Sequence, residues 1–226
     1  FRAALLYAVS VSWASALVAP AGPRADFRPR AEPLEIRRAE LRDLRHIVEL
    51  SHREFRPRSS GDVLQKLWAE YESVNLLLLL YVGFYLRLTY QETYEVDDDH
   101  RVLIALDDAA RVRGVVEISK QPFCTLAPPV PRPRFLKGPD LRPYLSNLLV
   151  DQPFRNQGLG KALVKRCETE VRESWRGDSL ALHHDKEDAK LTVFYQRLGY
   201  LPVEAADEVK IDGFTLGYVA KALASR

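Results

Sequence analysis

The clearest chemical pattern in the chain is Leu148-Leu149-Val150-Asp151-Gln152-Pro153-Phe154-Arg155-Asn156-Gln157-Gly158-Leu159-Gly160-Lys161. An apolar run of strand length, residues 144–150, ends at Asp151-Gln152-Pro153 and feeds a glycine-bearing turn. That turn opens a segment, residues 160–175, in which Leu163, Val164, Cys167 and Val171 fall on one helical face. The first N–H groups of a helix have no partner inside it, and the helix dipole places partial positive charge there. A phosphate or pyrophosphate is well held at such an end. Gly158 and Gly160 keep side chains out of its way, Asn156, Gln157 and Leu159 complete the turn, and Arg155 or Lys161 can add charge. The spacing is not that of a nucleotide-triphosphate loop, which needs four residues between its glycines and a Gly-Lys-Ser/Thr ending. Nor is it a dinucleotide fingerprint, because the third glycine is absent.

The elements that must position this turn can be read on either side of it. Residues 34–38 alternate as a short strand does, and Leu41, Leu44, Ile47, Val48 and Leu50 recur at helical spacing up to about Phe55. Pro57, Ser59, Ser60 and Gly61 break the chain, and Asp62 is a suitable N-cap for a second helix. That helix contains an uncharged stretch, residues 73–86, about 21 Å long and so short of a bilayer core of roughly 30 Å. Burial in the protein core is the expectation; docking of a membrane surface or a partner protein from Leu76 to Leu86 is the alternative. Residues 101–106 and 112–119 read as a hairpin. Residues 122–143 hold half of the chain's 14 prolines and are expected to form an extended loop. After the glycine turn come a strand at 179–183, a helix at 187–198 stopped by Gly199, and two strands at 201–209 and 214–221 turning at Asp212-Gly213.

Length and composition fit one ordered domain, residues 34–226, behind a leader, residues 1–33. The 33 basic and 31 acidic residues leave a net charge of +2, which gives no nucleic-acid footprint. Cys124 and Cys167 lie far apart without metal-ligand spacing, so no metal is expected, and they read as thiols of a reducing compartment. The chain contains no Met, so its reading frame is expected to start upstream of Phe1. Residues 3–16 have the length and apolarity of a signal-peptide core ending in Ala14-Ser15-Ala16, and residues 17–33 are rich in Arg, Pro and Ala. Together they resemble the bipartite presequences of algae with complex plastids, except that Leu17 stands where those carry Phe. This implies a chloroplast transit peptide and a plastid location, in the stroma or at its membrane surface. A plain secretory signal, a tail and an anchor are the alternatives.

Arg155-x-x-Gly158-x-Gly160 resembles the Q/R-x-x-G-x-G/A pyrophosphate loop of the GNAT acetyltransferases. Leu148-Leu149-Val150-Asp151 before it, and Phe194-Tyr195-Gln196-Arg197-Leu198-Gly199-Tyr200, similar to the family's L/F-Y-x-x-L-G-F/Y, agree with it. The resemblance covers roughly residues 34–223. It implies an α/β fold with a mixed, mostly antiparallel sheet flanked by helices and splayed at its centre. Acetyl-CoA would be the co-substrate, its pantetheine arm paired with the backbone of Leu148, Leu149 and Val150 and its pyrophosphate wrapped by residues 156–161. Asp188 stands where the family has a coenzyme-contacting Asn. Tyr195 would be the general acid that protonates the departing thiolate.

Two residues could take the proton of the acceptor amine. His183, in register with a Glu base of some GNAT N-terminal acetyltransferases, would titrate near 6.5; Glu117 is the second candidate. Tyr144-Leu145-Ser146-Asn147-Leu148 with Leu182-His183 is similar to plastid GNATs of photosynthetic eukaryotes, several of which acetylate both protein N-termini and lysines. Three activities stay open: a protein acetyltransferase, a small-amine acetyltransferase, and a non-catalytic domain docked on a membrane complex.

Overall fold

A computed structural model describes residues 35–56, 62–93, 99–126, 138, 140–211 and 214–223. The leader at 1–33, most of the proline-rich loop and the Asp212-Gly213 turn lie outside the described residues. Strand β1 (Glu35–Arg38) is followed by a short turn, Leu41–Asp43, and helix α1 (Leu44–Phe55). Helix α2 runs from Val63 to Thr93, and strands β2 (His100–Leu106), β3 (Val112–Pro122) and β4 (Leu141–Val150) come next. Helix α3 (Leu159–Glu173), β5 (Ser179–Asp185), α4 (Ala189–Arg197), β6 (Leu201–Pro202), β7 (Val209–Ile211) and β8 (Phe214–Ala222) complete the order.

These strands form one mixed sheet in the order β1-β2-β3-β4-β5-β8-β6, with β7 also on β8. Every pairing is antiparallel except that of β4 with β5. Alternation along the strands, with one extra residue in β4 between Leu145 and Leu148, sends Leu145, Leu148, Val150, Leu180 and Leu182 to one face, where they pack with Leu163, Val164 and Cys167 of α3 and Leu191 and Tyr195 of α4. The other face carries Val102, Ile104, Val115 and Leu149 under Ile47 of α1 and Leu80, Phe84 and Leu88 of α2. Gly114 lets α3 approach the sheet, since a Cβ there would lie 2.8 Å from Leu163 Cδ1.

Several boundaries differ from the pattern in the sequence. The expected strand at 201–209 is two short pieces, β6 and β7, with Val203–Ala206 turning between them. Three residues of the proline-rich segment, 141–143, belong to β4. Asp62 caps α2 as expected, its Oδ1 accepting the N–H of Gln65 at 2.9 Å. The uncharged stretch of α2, however, is not a core helix. Leu80, Phe84 and Leu88 are buried, but Leu78, Tyr81, Val82 and Tyr85 on the opposite side are 44–59% exposed. The whole helix has 31 residues, about 46 Å, and is long and apolar enough to cross a bilayer by length and composition. The sheet can cover only one side of a cylinder, which is why the apolar residues on the other side stay in solvent.

Phe84→Ala removes a ring with no exposure from beneath the sheet. It should cost about 3–5 kcal/mol in a denaturant titration, with the transition slope unchanged.

Candidate active site: a gap between two parallel strands

Neighbouring parallel strands normally bond along their length, yet β4 and β5 share a single register pair, Tyr144↔Ala181. Beyond it Leu145–Val150 and Leu182–Asp185 diverge. The cause lies in β4. Glu117 pairs with Ser146 and Val115 with Leu149, so β4 spends two residues, Asn147 and Leu148, where β3 spends one. This is a β-bulge, and Asn147 takes the left-handed conformation it needs (φ 55). The Asn147 Nδ2 donates to Glu117 Oε1 at 2.7 Å and holds the bulge. Leu148, Leu149 and Val150 are buried by their side chains, so what they offer the gap is backbone.

The open end of the gap leads to the glycine turn. Asn156 (φ 59) and Gly158 (φ 84) both sit in the left-handed region, and Gly158 is the N-cap of α3 without a side-chain cap. The space a Cβ would occupy at Gly158 is empty to 4 Å. Ala162 N–H donates to Gly158 O, so the N–H groups of Leu159, Gly160 and Lys161 have no carbonyl within reach of a helical bond among the described residues. Asn156, Gln157 and Lys161 are exposed around them. An exposed, uncapped helix start with free donors fits a pyrophosphate.

Arg155 is placed differently from the expectation. Its side chain is only 6% exposed, its Nη2 donates to Glu54 Oε2 at 2.5 Å and its Nε to the Val150 carbonyl at 2.9 Å. Its charge is therefore neutralised by α1, and it pins the turn to the end of β4; only Nη1, buried and without a partner, remains for a ligand oxygen. Asp188 is the N-cap of α4, its Oδ1 accepting the N–H groups of Lys190 and Leu191.

The two faces of the sheet bring different chemistry to the gap. On the α3/α4 side, Tyr195 is buried with Leu148, Val150 and Leu182, its ring 5.8 Å from Tyr200 and 5.7 Å from His184. Burial raises its phenol well above the ordinary value, so it carries a proton at neutral pH. On the other side, His183 stacks 4.9 Å from Tyr218, and its Nδ1 lies 3.0 Å from the Tyr144 hydroxyl. Its Nε2 is 3.9 Å from Cys124 Sγ. Desolvation, helped by the neighbouring His184, pushes the His183 pKa down to about 4, not the 6.5 expected of an open imidazole. Tyr144, Tyr218 and Cys124 were not among the catalytic or binding residues expected from the sequence. Residue 144 sits at the apex of the gap, a place visible only once the strands are paired.

Glu117 is not placed to act as a base. It is 2% exposed, with Arg87 Nε at 3.1 Å, His100 Nε2 at 3.2 Å and Asn147 Nδ2 at 2.7 Å. Burial alone would raise its pKa, but Arg87, His100 and Asn147 outweigh it and hold the carboxylate below its usual range. A carboxylate so buried, ion-paired and held below its usual pKa range is a poor acceptor for an amine's proton.

The sequence profile of the acetyltransferase (GNAT) family matches residues 61–200, and the chain belongs to that family. Its fold is that of solved family members: PaiA N-acetyltransferase from Thermoplasma acidophilum in complex with coenzyme A aligns with a TM-score of 0.54 at 13% identity, over 84% of this chain and 99% of that one. NAA60 of Arabidopsis thaliana in complex with acetyl-CoA aligns at 0.52 and 15% identity, over 84% and 99%. A spermidine N-acetyltransferase SpeG chimera from Vibrio cholerae and hSSAT aligns at 0.51 and 14%, over 84% and 95%. No curated protein matches the chain in sequence. The chain is an acetyl-CoA-dependent acetyltransferase of the GNAT type.

Acetyl-CoA at about 100 times its dissociation constant should stabilise the chain by roughly 2.7 kcal/mol, seen as a rise in melting temperature. Gly158→Val, at a position whose φ of 84 a β-branched residue resists, should remove most of that rise. An undiminished rise in this variant would place the pyrophosphate elsewhere.

Proposed function

We propose that the chain acetylates a primary amine of a protein, an N-terminal α-amine or a lysine, approaching the gap from the His183 side. The observation that carries this reading is the wall there, built of the uncharged side chains Tyr144, His183, Tyr218, Phe123 and Cys124, with Phe123 and Tyr218 rings 5.4 Å apart and the Arg142 guanidinium 4.6 Å over the outer Phe123 ring. Such a wall suits a peptide with one ammonium group. A polyamine needs several carboxylates, and among the described residues the acid recorded against this wall is exposed Asp207, whose carbonyl accepts from Cys124 Sγ.

The chain's own residues would divide the work across the sheet. With its Nδ1–H donated to Tyr144 O, His183 turns the Nε2 lone pair towards Cys124 and the acceptor side, where it can take the amine's proton directly or through a water. The free amine attacks the thioester carbon, the C–S bond breaks, and the thiolate leaves on the opposite face, where Tyr195 gives up its phenolic proton. Burial raises the phenol's pKa, which makes that transfer uphill unless the same desolvation raises the thiol. The α3 amide groups hold the pyrophosphate and the gap's backbone holds the pantetheine arm, so the carbonyl is presented in one orientation.

The leader, residues 1–33, supports a plastid location in this reading, and its removal is checked by N-terminal sequencing of native protein. Acetylome comparison of protein N-termini and lysines, with and without expression of the chain and with the Gly158→Val variant as control, tests the acceptor class. Acetylation of small amines alone would overturn it.

Tyr195→Phe should lower kcat about 10²–10⁴-fold while the acetyl-CoA dissociation constant stays unchanged, because the hydroxyl matters only as charge builds on sulfur. Activity within threefold of wild type would mean that water protonates the thiolate. His183 gives a pH test with a defined sign. Its folded pKa, about 4, lies below the unfolded value near 6.5, so the unfolded chain binds more protons between these limits. Stability contributed by neutral His183 is whole above pH 6.5 and declines as pH falls towards 4; His183→Gln should flatten that part of a melting-temperature profile. The acid limb of kcat/KM should likewise lie below pH 6 in the wild type and vanish in His183→Gln.

A further inference from the structure

We infer that the outer face of α2 is the interface of a two-fold dimer, in which α2 packs antiparallel against α2 of a second copy of this chain. Leu64, Leu67, Tyr71, Val74, Leu78, Tyr81 and Tyr85 are spaced alternately three and four residues apart, and each is between 44% and 75% exposed. The side of α2 that faces its own sheet is a different one, marked by Ser73, Leu80, Phe84 and Leu88. The helix therefore carries two apolar seams, one used and one open.

The open seam keeps a strict seven-residue repeat for about 32 Å. On a straight helix such a repeat drifts by about 20° per heptad, and two helices that wrap round each other take up that drift. With Trp68 and Val82 at its margin, the seam amounts to roughly 1,000 Å² of apolar surface per copy, against about 800 Å² per partner in a standard stable interface. Monomers rarely leave a continuous patch of that size in water.

Asn75 decides between a second copy and a lipid surface. It lies beside the middle of the seam, and its side chain has no hydrogen bond among the described residues. Sunk into acyl chains, its amide would lose water without compensation. In an antiparallel pair that sets Val74 against Leu78, Tyr71 against Tyr81 and Leu67 against Tyr85, the two Asn75 side chains flank the same side of the axis. Each amide can then donate to the other, a use of a lone polar residue that also fixes register. Among the described residues Arg45 pairs with Glu49 and Arg56 with Glu70, which leaves exposed Lys66 on α2, a single charge rather than a basic collar for anionic headgroups.

The test is sedimentation velocity of the whole chain over a micromolar concentration series, with Leu67→Glu and Leu78→Glu as separate variants. Both positions are more than half exposed, so folding is not at stake, and an unchanged melting curve of the dilute monomer checks this. Wild type should sediment as a dimer, and each substitution, present twice in the interface, should raise the dissociation constant roughly a hundredfold or more. Asn75→Cys, with Cys124 replaced by Ser, should form an intermolecular disulfide on oxidation, whereas Glu92→Cys, far along the helix, should not. A monomeric wild type overturns the proposal, whether or not it co-sediments with phosphatidylcholine–phosphatidylglycerol vesicles. A dimer that survives both glutamate substitutions overturns it too.

Discussion

The four-way contact at Glu117 is the constraint on which the rest of the site depends. A carboxylate 2% exposed is stable only with partners, and these come from three other elements: Arg87 of α2, His100 of β2 and Asn147 of β4. Asn147 is the consequential partner. Held by Glu117 in a left-handed conformation, it forces the extra residue into β4 and turns the strand away from β5. Without the bulge, β4 and β5 would be free to pair beyond Tyr144 and Ala181, and the backbone that the gap exposes would be consumed within the sheet. Removing one partner of such a buried pair typically costs 3–5 kcal/mol, so the same contact that opens the site also fastens α2 to the sheet.

Opening the sheet in its middle has a chemical result that a surface cleft would not have. Alternation along β5 sends His183 to one face and His184, packed near Tyr195, to the other. In the proposed reaction a proton is taken on one side and another delivered on the opposite side, with the reacting carbon between them. Both groups are buried, and burial works on them in opposite directions: it keeps the imidazole neutral and the phenol protonated. Each thereby keeps, across the neutral range, the protonation state from which its proposed step would start.

The glycine turn was legible because its information is local. Gly158 and Gly160 at the start of an amphipathic helix, after an apolar run closed by Pro153, state a backbone conformation that few other residues adopt. Asp62 and Gly199 were legible for the same reason. The bulge was not, since residues 144–150 read as an ordinary strand; the one signal was an Asn, a residue that tolerates left-handed geometry, inside an otherwise apolar run. Glu117 was open to misreading as a base because Arg87 and His100 lie 30 and 17 residues away in sequence, and the charge it neutralises appears only when α2 lies across β3. Arg155 was hidden in the same manner: its ion pair with Glu54 joins residues 101 positions apart. The outer face of α2 misled because an uncharged stretch says that apolar residues are present, not how many sides of the helix find cover.

The central claim is that acetyl-CoA lies in the gap with its pyrophosphate on the first turn of α3. Amide hydrogen exchange with and without acetyl-CoA tests it residue by residue. The account predicts slowed exchange in two places, the edge of β4 at Leu148–Val150 and the amides of Leu159, Gly160 and Lys161, with the outer strands β1 and β2 unchanged. Protection absent from both segments, or confined to the outer strands, would contradict it.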